Sequence, residues 1–436
     1  MSATVISDVV CSFCGCLCDD IEVLVQDGKI VDTRHACILG AHRFLNASDP
    51  DRIKKPLIRM NGELKEASLE EATQKAAEIL VKAERPLLFG WSTTECGAQQ
   101  AGIALAEELG GIIDATTSVC HGPSVLAIQE VGISSCTLGD VKNRADLVVY
   151  WGCNPIQAHP RHLSRYSMCP RGFFRERGWR DRTLIVVDVR RTDTAKLATR
   201  FIQVNPNRDY ELVSALRLAV HGYKFTAEKV AGVPREEIEK IAELMKACHF
   251  GVIFFGLGVT MSAGKNRNVD NVISLVRDLN TYTKFVLMPM RGHYNVTGFG
   301  EVSTWETGYP FAVDFSRGYP RYNPGETSSN EVLLRGEVDA ALIVASDPTA
   351  HFPRKAVDHL AQVPVIVIEP FRSLTTELAS VVIPPAIAGI ETEGTAYRMD
   401  HVPIRLRKVI EPPEGCLPDR EILRIILEQT RKFKGN

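Results

Sequence analysis

Four cysteines fall within eight residues near the start of the chain, CSFCGCLC (11–18). Thiols this dense cannot all reach disulfide geometry with one another, so ligation of a metal is the stronger reading. Cys11, Cys14 and Cys18 have C-x2-C-x3-C spacing, and Cys37 is the only other cysteine in the first region. Four soft thiolates suit either a tetrahedral zinc or a [4Fe–4S] cube. A zinc ribbon normally uses two separate C-x2-C knuckles, and one is present here. The compact triplet plus a distant fourth thiol fits the cube better, and Cys16 is left over as a buried thiol. A fifth cysteine of interest, Cys120, stands beside His121 in TTSVCHGPS, after the apparent strand GGIIDATT. It suits either a nucleophile paired with a base or a soft ligand for a heavy metal. MPMRGHYNVTGFG (288–300) offers Arg291 in a glycine-rich, aromatic loop, a guanidinium able to grip a carboxylate in bidentate fashion.

The elements that must hold these groups change character along the chain. IEVLVQDGKIVDTR alternates and turns at Asp27-Gly28 like a hairpin. From about residue 68, helices and short apolar strands alternate. SLEEATQKAAEILVKA opens on a capping box, Ser68 with Glu71, and RPLLFGW reads as a buried parallel strand. The alternation continues with helices at 97–109, 209–221, 235–247 and 267–279, and with strands at 146–152, 183–189, 251–256, 340–346 and 363–370. A helix at 418–433 closes it. Strands alternating with helices predict a doubly wound α/β architecture.

A faint internal repeat lies inside the alternation. DLVVYWGCNP followed by LIVVDVRRTDTAKLA is echoed by AALIVASDP followed by VIVIEPFRSLTTELA. Each copy has a strand ending in a polar-Pro turn (Asn154-Pro155, Asp347-Pro348). Each then has a strand ending in an acid (Asp188, Glu369) with a hydroxyl four residues on (Thr192, Ser373). Thr194 and Thr375 keep the same offset. An acid at the carboxyl end of a parallel strand is where such a sheet holds a nucleotide, so two copies predict two nucleotide-like ligands or one pseudo-symmetric one. A single copy would be ordinary turn chemistry.

Composition narrows the rest. With 436 residues, 45% of them apolar, the chain can fill two or three domain cores. A net charge of -2 shows no nucleic-acid signature, and no apolar run is long enough to span a membrane. Twelve cysteines without an apparent signal segment predict reduced thiols in the cytoplasm.

Taken together, CSFCGCLC…HACILG, TTSVCHGPS, ADLVVYWGCNP, VVDVRRTDTAKLA, MPMRGHYNVTGFG and IETEGTAYR resemble the molybdopterin dinucleotide oxidoreductases. The likeness is strongest to the formylmethanofuran dehydrogenase catalytic-chain (B-type) family. The resemblance covers nearly the whole chain. It implies a small [4Fe–4S] domain at 1–60 and two Rossmann-like αβα domains, one discontinuous (61–115 with 295–415) and one at 116–294, with a terminal helix at 416–436. Two molybdopterin guanine dinucleotides would sandwich tungsten or molybdenum. Cys11, Cys14, Cys18 and Cys37 would ligate the cube, and Cys120 the tungsten or molybdenum. His121 would shuttle a proton and Arg291 would stabilise formate. Gly152, Asn154, Asp188 and Thr192 would face one dinucleotide, and Asp347, Glu369 and Ser373 the other.

The implied activity is ferredoxin-linked reduction of CO2 to formate in methanogenesis. A partner amidohydrolase subunit with a dinuclear metal site would then condense formate with methanofuran. Electrons would come from a polyferredoxin-type subunit, within a larger electron-bifurcating assembly. Two departures stand out. Many relatives carry a lysine two residues after the last cluster cysteine, where this chain has Leu39. Larger relatives also continue into a pterin-binding β-barrel, which would here be a separate subunit. The alternatives are a formate dehydrogenase-type subunit, a non-catalytic electron-relay relative and, more distantly, a zinc scaffold.

Overall fold

The computed structural model of the protein describes residues 4–435. Over them the chain packs as two compact units. One comprises residues up to Val119, His293–Arg398 and Pro403 onward; the other comprises Cys120–Gly292 and Met399–Val402.

The second unit is built on five parallel strands in the order Arg200–Gln203, Thr183–Asp188, Leu147–Trp151, Phe250–Phe255, Lys284–Pro289. The chain enters at Leu147–Trp151, lays two strands to one side and then two to the other. The winding therefore reverses between Leu147–Trp151 and Phe250–Phe255, and a doubly wound sheet opens a ligand crevice at the carboxyl ends of such a pair. Both strands are buried along their whole length, as runs such as LVVYW and FGVIFF require. Their side chains share one core with the helices Asp209–Val220, Arg235–Ala247 and Asn266–Leu279.

The first unit holds a nine-stranded sheet. Its parallel centre runs Ile112–Ala115, Pro86–Gly90, Ala340–Val344, Val365–Ile368, Val381–Ile383, and the winding reverses between Pro86–Gly90 and Ala340–Val344. Antiparallel pairs extend both edges: Val313–Asp314 with Arg321–Tyr322, and Leu57–Met60 with Glu63–Glu66. The second of these turns at Asn61 and Gly62, with φ of 52° and 84°. Asn-Gly is a strong hairpin signal that the helix–strand rhythm had obscured. Helix Leu69–Lys82 starts at the Ser68–Glu71 capping box, and the terminal helix Asp419–Gly435 packs on it and on Cys96–Leu109.

The N-terminal strands Thr4–Val9, Ile21–Gln26 and Lys29–Arg34 form an antiparallel meander turning at Asp27-Gly28. The dense cysteine loop joins its first two strands. Val10 and Leu17 of that loop are buried with Tyr294, Ala388, Ala396 and Leu406. Nearby, Arg52 pairs with Glu391 in a fully buried ion pair. Arg52 also donates from its terminal nitrogens to the carbonyls of Ala47 and Pro385, leaving only its Nε without a partner, while Glu391 accepts from the Ile387 amide. No helix among the described residues is long and apolar enough to cross a membrane.

Candidate active site

Cys120, His121 and Arg291 all belong to the second unit, although 170 residues separate the latter two in sequence. Cys120 and His121 stand just ahead of helix Gly122–Val131, whose positive end favours an anion there. The Cys120 carbonyl accepts from Thr260 Oγ1 at 2.9 Å, which fixes the backbone at that point. His121 is 2% exposed. Its Nε2 lies 3.3 Å from the Met290 carbonyl and its Nδ1 lies 3.3 Å from Ser124 Oγ. Only a protonated Nε2 can bond a carbonyl, so Nδ1 is the bare nitrogen of the neutral ring. Burial, reinforced by the Arg291 charge, pushes the His121 pKa down to about 3 and keeps it neutral. Arg291 is buried too. Its carbonyl accepts from His159 Nε2 at 2.9 Å, and the Met290 amide donates to the Phe255 carbonyl at 2.8 Å.

The cysteine loop lies in the first unit. The Cys11 amide donates to the Cys18 carbonyl at 2.8 Å, closing the loop, and Cys14 makes an isolated antiparallel bridge with His293. Cys37 caps helix Ile38–Leu45, its sulfur accepting from the Gly40 amide at 3.4 Å. A Cβ at Gly40 would lie 2.9 Å from Cys11 Sγ, so the glycine leaves room for that sulfur, while Cys37 Sγ would be at ordinary contact distance, 3.7 Å. Burial and then the neighbouring Cys14 and Cys18 sulfurs push the Cys11 thiol well up, so the triplet interacts closely. Cys16 is buried, as expected, and free of any disulfide. Its thiol bonds Cys14, and that bond holds Cys14 below the usual thiol range.

The two copies of the repeat fold into matching clasps. In the second unit Thr194 donates its amide (3.2 Å) and hydroxyl (2.7 Å) to Asn154 Oδ1, and the Ile156 amide donates to Thr194 Oγ1 at 3.3 Å. In the first unit Thr375 does the same to Asp347 Oδ1 (3.0 and 2.6 Å), and the Thr349 amide donates to Thr375 Oγ1 at 3.1 Å. Thr192 and Ser373 each cap the short helix that follows. Their hydroxyl oxygens accept a backbone amide there, and Thr194 and Thr375, which the repeat showed only as matching offsets, make the clasps. Asp188 and Glu369 stand partly exposed at their strand ends. Burial raises Asp188 and pushes Glu369 up to about 7. Gly152 has φ of 59° and abuts Gly258 across the winding reversal, where a Cβ on either would meet the other's backbone within 3 Å.

These surroundings accept the cofactors the residues suggest. Asn154 Nδ2 is buried without a partner at the strand end, a donor left over for a ligand. Partly exposed acids with raised pKa values, Asp188 and Glu369, stand at the two strand ends. Among the described residues no three His, Cys, Asp or Glu are grouped as a single-ion site. A four-iron cube needs no such convergence, because each thiolate meets a different iron. Sequence reasoning had no handle on His159, Thr260 or His293, which bear on the site through contacts made only after folding.

Residues 52–429 match the family model described as molybdopterin oxidoreductase. The chain belongs to that family and is an oxidoreductase. It is 59% identical over 431 residues to the B chain of tungsten-containing formylmethanofuran dehydrogenase 2 from Methanocaldococcus jannaschii, covering 98% of this chain and 99% of that one. It is 56% identical to the protein of the same description in Methanococcus maripaludis, over 99% of this chain and all of that one. Within the family it falls with these formylmethanofuran dehydrogenase chains. The fold is shared more widely. A chain of the formyltransferase/hydrolase complex from Methylorubrum extorquens, solved with methylofuran, aligns with a TM-score of 0.71 at 22% identity, over 87% of this chain and 100% of that one. Acetylene hydratase from Pelobacter acetylenicus aligns at 0.76 and 15%, over 98% of this chain and 69% of that one.

Proposed function

We propose that this chain is the CO2-reducing subunit of a formylmethanofuran dehydrogenase. The observation that carries the reading is the bond from His121 Nε2 to the Met290 carbonyl. It ties the neighbour of Cys120 to the residue before Arg291, so that a soft ligand, an imidazole and a guanidinium share one unit. Cys11, Cys14, Cys18 and Cys37 would hold a [4Fe–4S] cluster, and Cys120 would ligate tungsten or molybdenum. The clasps of Asn154 with Thr194 and of Asp347 with Thr375, flanked by Asp188 and Glu369, would each receive a pterin guanine dinucleotide. When bound, the metal centre supplies the two-electron reduction.

The chain's own residues do the rest. Arg291 presents a buried cation to the carboxylate that develops from CO2, where a preorganised charge stabilises the transition state more than water would. His121 is neutral and its Nε2 proton is committed to Met290. Nδ1, which faces Ser124 Oγ, is then the nitrogen through which it would relay a proton in passing, without resting in the charged form. Partner subunits would supply the amidohydrolase site, the pterin-binding barrel and the polyferredoxin.

The test is Cys120→Ala in the assembled complex. CO2 reduction should vanish and tungsten or molybdenum content should fall while cluster iron stays; unchanged turnover would refute the reading. The chain is also 27% identical to the alpha chain of an F420-dependent formate dehydrogenase of Methanococcus maripaludis, over 96% of this chain and 69% of that one. Release of formate as the free product by the purified complex would favour that chemistry instead.

A further inference from the structure

We propose that His159 is a positioning residue for Arg291, its imidazole N–H holding in place the peptide from which the guanidinium reaches its substrate. The inference rests on the carboxylate-binding role of Arg291 proposed above.

The segment after strand Lys284–Pro289 carries no regular structure at Met290 and Arg291, yet every main-chain polar group of these two residues is bonded. The Met290 amide donates to the Phe255 carbonyl at 2.8 Å and the Arg291 amide to the Pro289 carbonyl at 3.1 Å. The two carbonyls accept from two buried imidazoles, Met290 from His121 Nε2 at 3.3 Å and Arg291 from His159 Nε2 at 2.9 Å. The next residue, Gly292, has nothing within 4 Å of the place where a Cβ would sit. The bond from His159 thus holds the last side-chain-bearing residue of this segment, immediately ahead of the exposed Gly292.

His159 is itself rigidly mounted. It ends the helical turn Pro155–Ala158, its amide donating to the Pro155 carbonyl at 2.8 Å, and that turn starts at the Asn154–Thr194 clasp. The His162 amide donates to the His159 carbonyl at 2.8 Å. The His162 ring packs edge-on to Phe254 at 4.6 Å and lies 2.7 Å from the Tyr150 hydroxyl. Burial keeps His159 neutral, and its carbonyl partner requires the proton on Nε2. A continuous set of contacts therefore runs from the strand-end clasp to the Arg291 peptide. A guanidinium that meets a carboxylate in a bidentate fork tolerates little displacement, because misplacement by about an ångström can cost on the order of a hundredfold in rate.

The experiment uses the assembled complex and dye-linked formate oxidation. For His159→Leu the KM for formate should rise about tenfold, the equivalent of one buried hydrogen bond, with a smaller fall in kcat. His159→Gln, which can return an N–H to the same carbonyl, should recover most of the loss. If the leucine variant fails to assemble, His159→Met is measured in its place, since it also lacks the donor. Wild-type KM in the donor-less variant, or equal losses with leucine and glutamine, overturns the proposal. Arg291→Ala is the reference: if it turns over normally the role of Arg291 itself is wrong, whereas an impaired Arg291→Ala beside a normal His159→Leu refutes only the positioning.

Discussion

The clasp at the strand end in one unit and its counterpart in the other share their backbone path and differ in what they offer a ligand. In the second unit the left-handed residue at the end of the strand is Gly152, with φ of 59°, whose amide donates to the Val187 carbonyl at 2.9 Å. In the first unit the same place is Ala345, with φ of 48°, donating to the Ile368 carbonyl at 3.0 Å. An alanine there bears about 1–2 kcal/mol of strain. The close backbone crossing is met from opposite sides. Gly152 abuts Gly258 in one unit, whereas in the other the glycine is Gly90, on the facing strand, where a Cβ would lie 1.9 Å from the Val344 carbonyl oxygen. The clasping side chains have opposite character as well. Once Asn154 Oδ1 has accepted from Thr194, its amide leaves a buried donor; Asp347, engaged identically by Thr375, leaves a second carboxylate oxygen, an acceptor. The same clasp thus leaves a spare donor at one strand end and a spare acceptor at the other.

The comparison can be broken most sharply at the glycine. Gly152→Ala combines a left-handed φ with overlap against Gly258 and should cost about 3 kcal/mol in denaturant unfolding. Ala345→Gly, at the equivalent place, should change stability by less than about 1 kcal/mol, because relief of strain is offset by a more flexible unfolded chain. Equal costs would mean that the two crossings are not equivalent. Next come the hydroxyls. Thr375→Val removes a bond to a carboxylate and should cost about 2 kcal/mol, whereas Thr194→Val, which loses a bond to an amide oxygen, should cost about 1 kcal/mol by the same assay.

A smaller effect should follow pH. Burial, aided by Asp419 and Asp347 and opposed by Arg43, puts Glu369 at about 7 rather than the ordinary 4.5. A raised carboxyl favours the fold while protonated. Its contribution is fully present below about 4.5 and is lost as pH rises through about 7. Glu369→Gln should therefore melt higher than the parent at pH 8 and equal to it at pH 4; parallel melting curves at all pH values would contradict the assignment. Smallest of all, Asp347→Asn should keep the clasp, since Asn154 already does the same work, and should shift stability by less than about 0.5 kcal/mol. Its effect should appear instead in how tightly the purified chain retains pterin, scored by fluorescence after acid release.

Much of the scaffold was legible because its signals are local. Helix Leu69–Lys82 starts at its capping box, the hairpin turns at Asp27-Gly28, and LVVYW and VIVI are buried strands, each within two residues of the expected bounds. The edge strands were not. Val313–Asp314 and Arg321–Tyr322 are two residues each and exist only because a sheet edge is there to pair with. The site divides in the same way. Cysteine spacing marked Cys11, Cys14, Cys18 and Cys37, and the repeat marked Asn154 and Asp347. Nothing in NPIQAHPRH distinguishes His159 from any buried histidine.

Periodicity, caps and thiol spacing act over a few residues, so the order of residues was enough to establish an α/β chain with a cysteine-dense loop and two similar strand ends. Which groups meet across 100 or more residues depends on the winding of a parallel sheet, which gathers strand ends from distant parts of the chain. Only that winding put His121 and His159 on consecutive carbonyls beside Arg291, placed Gly152 against Gly258, and left Asn154 with a donor to spare.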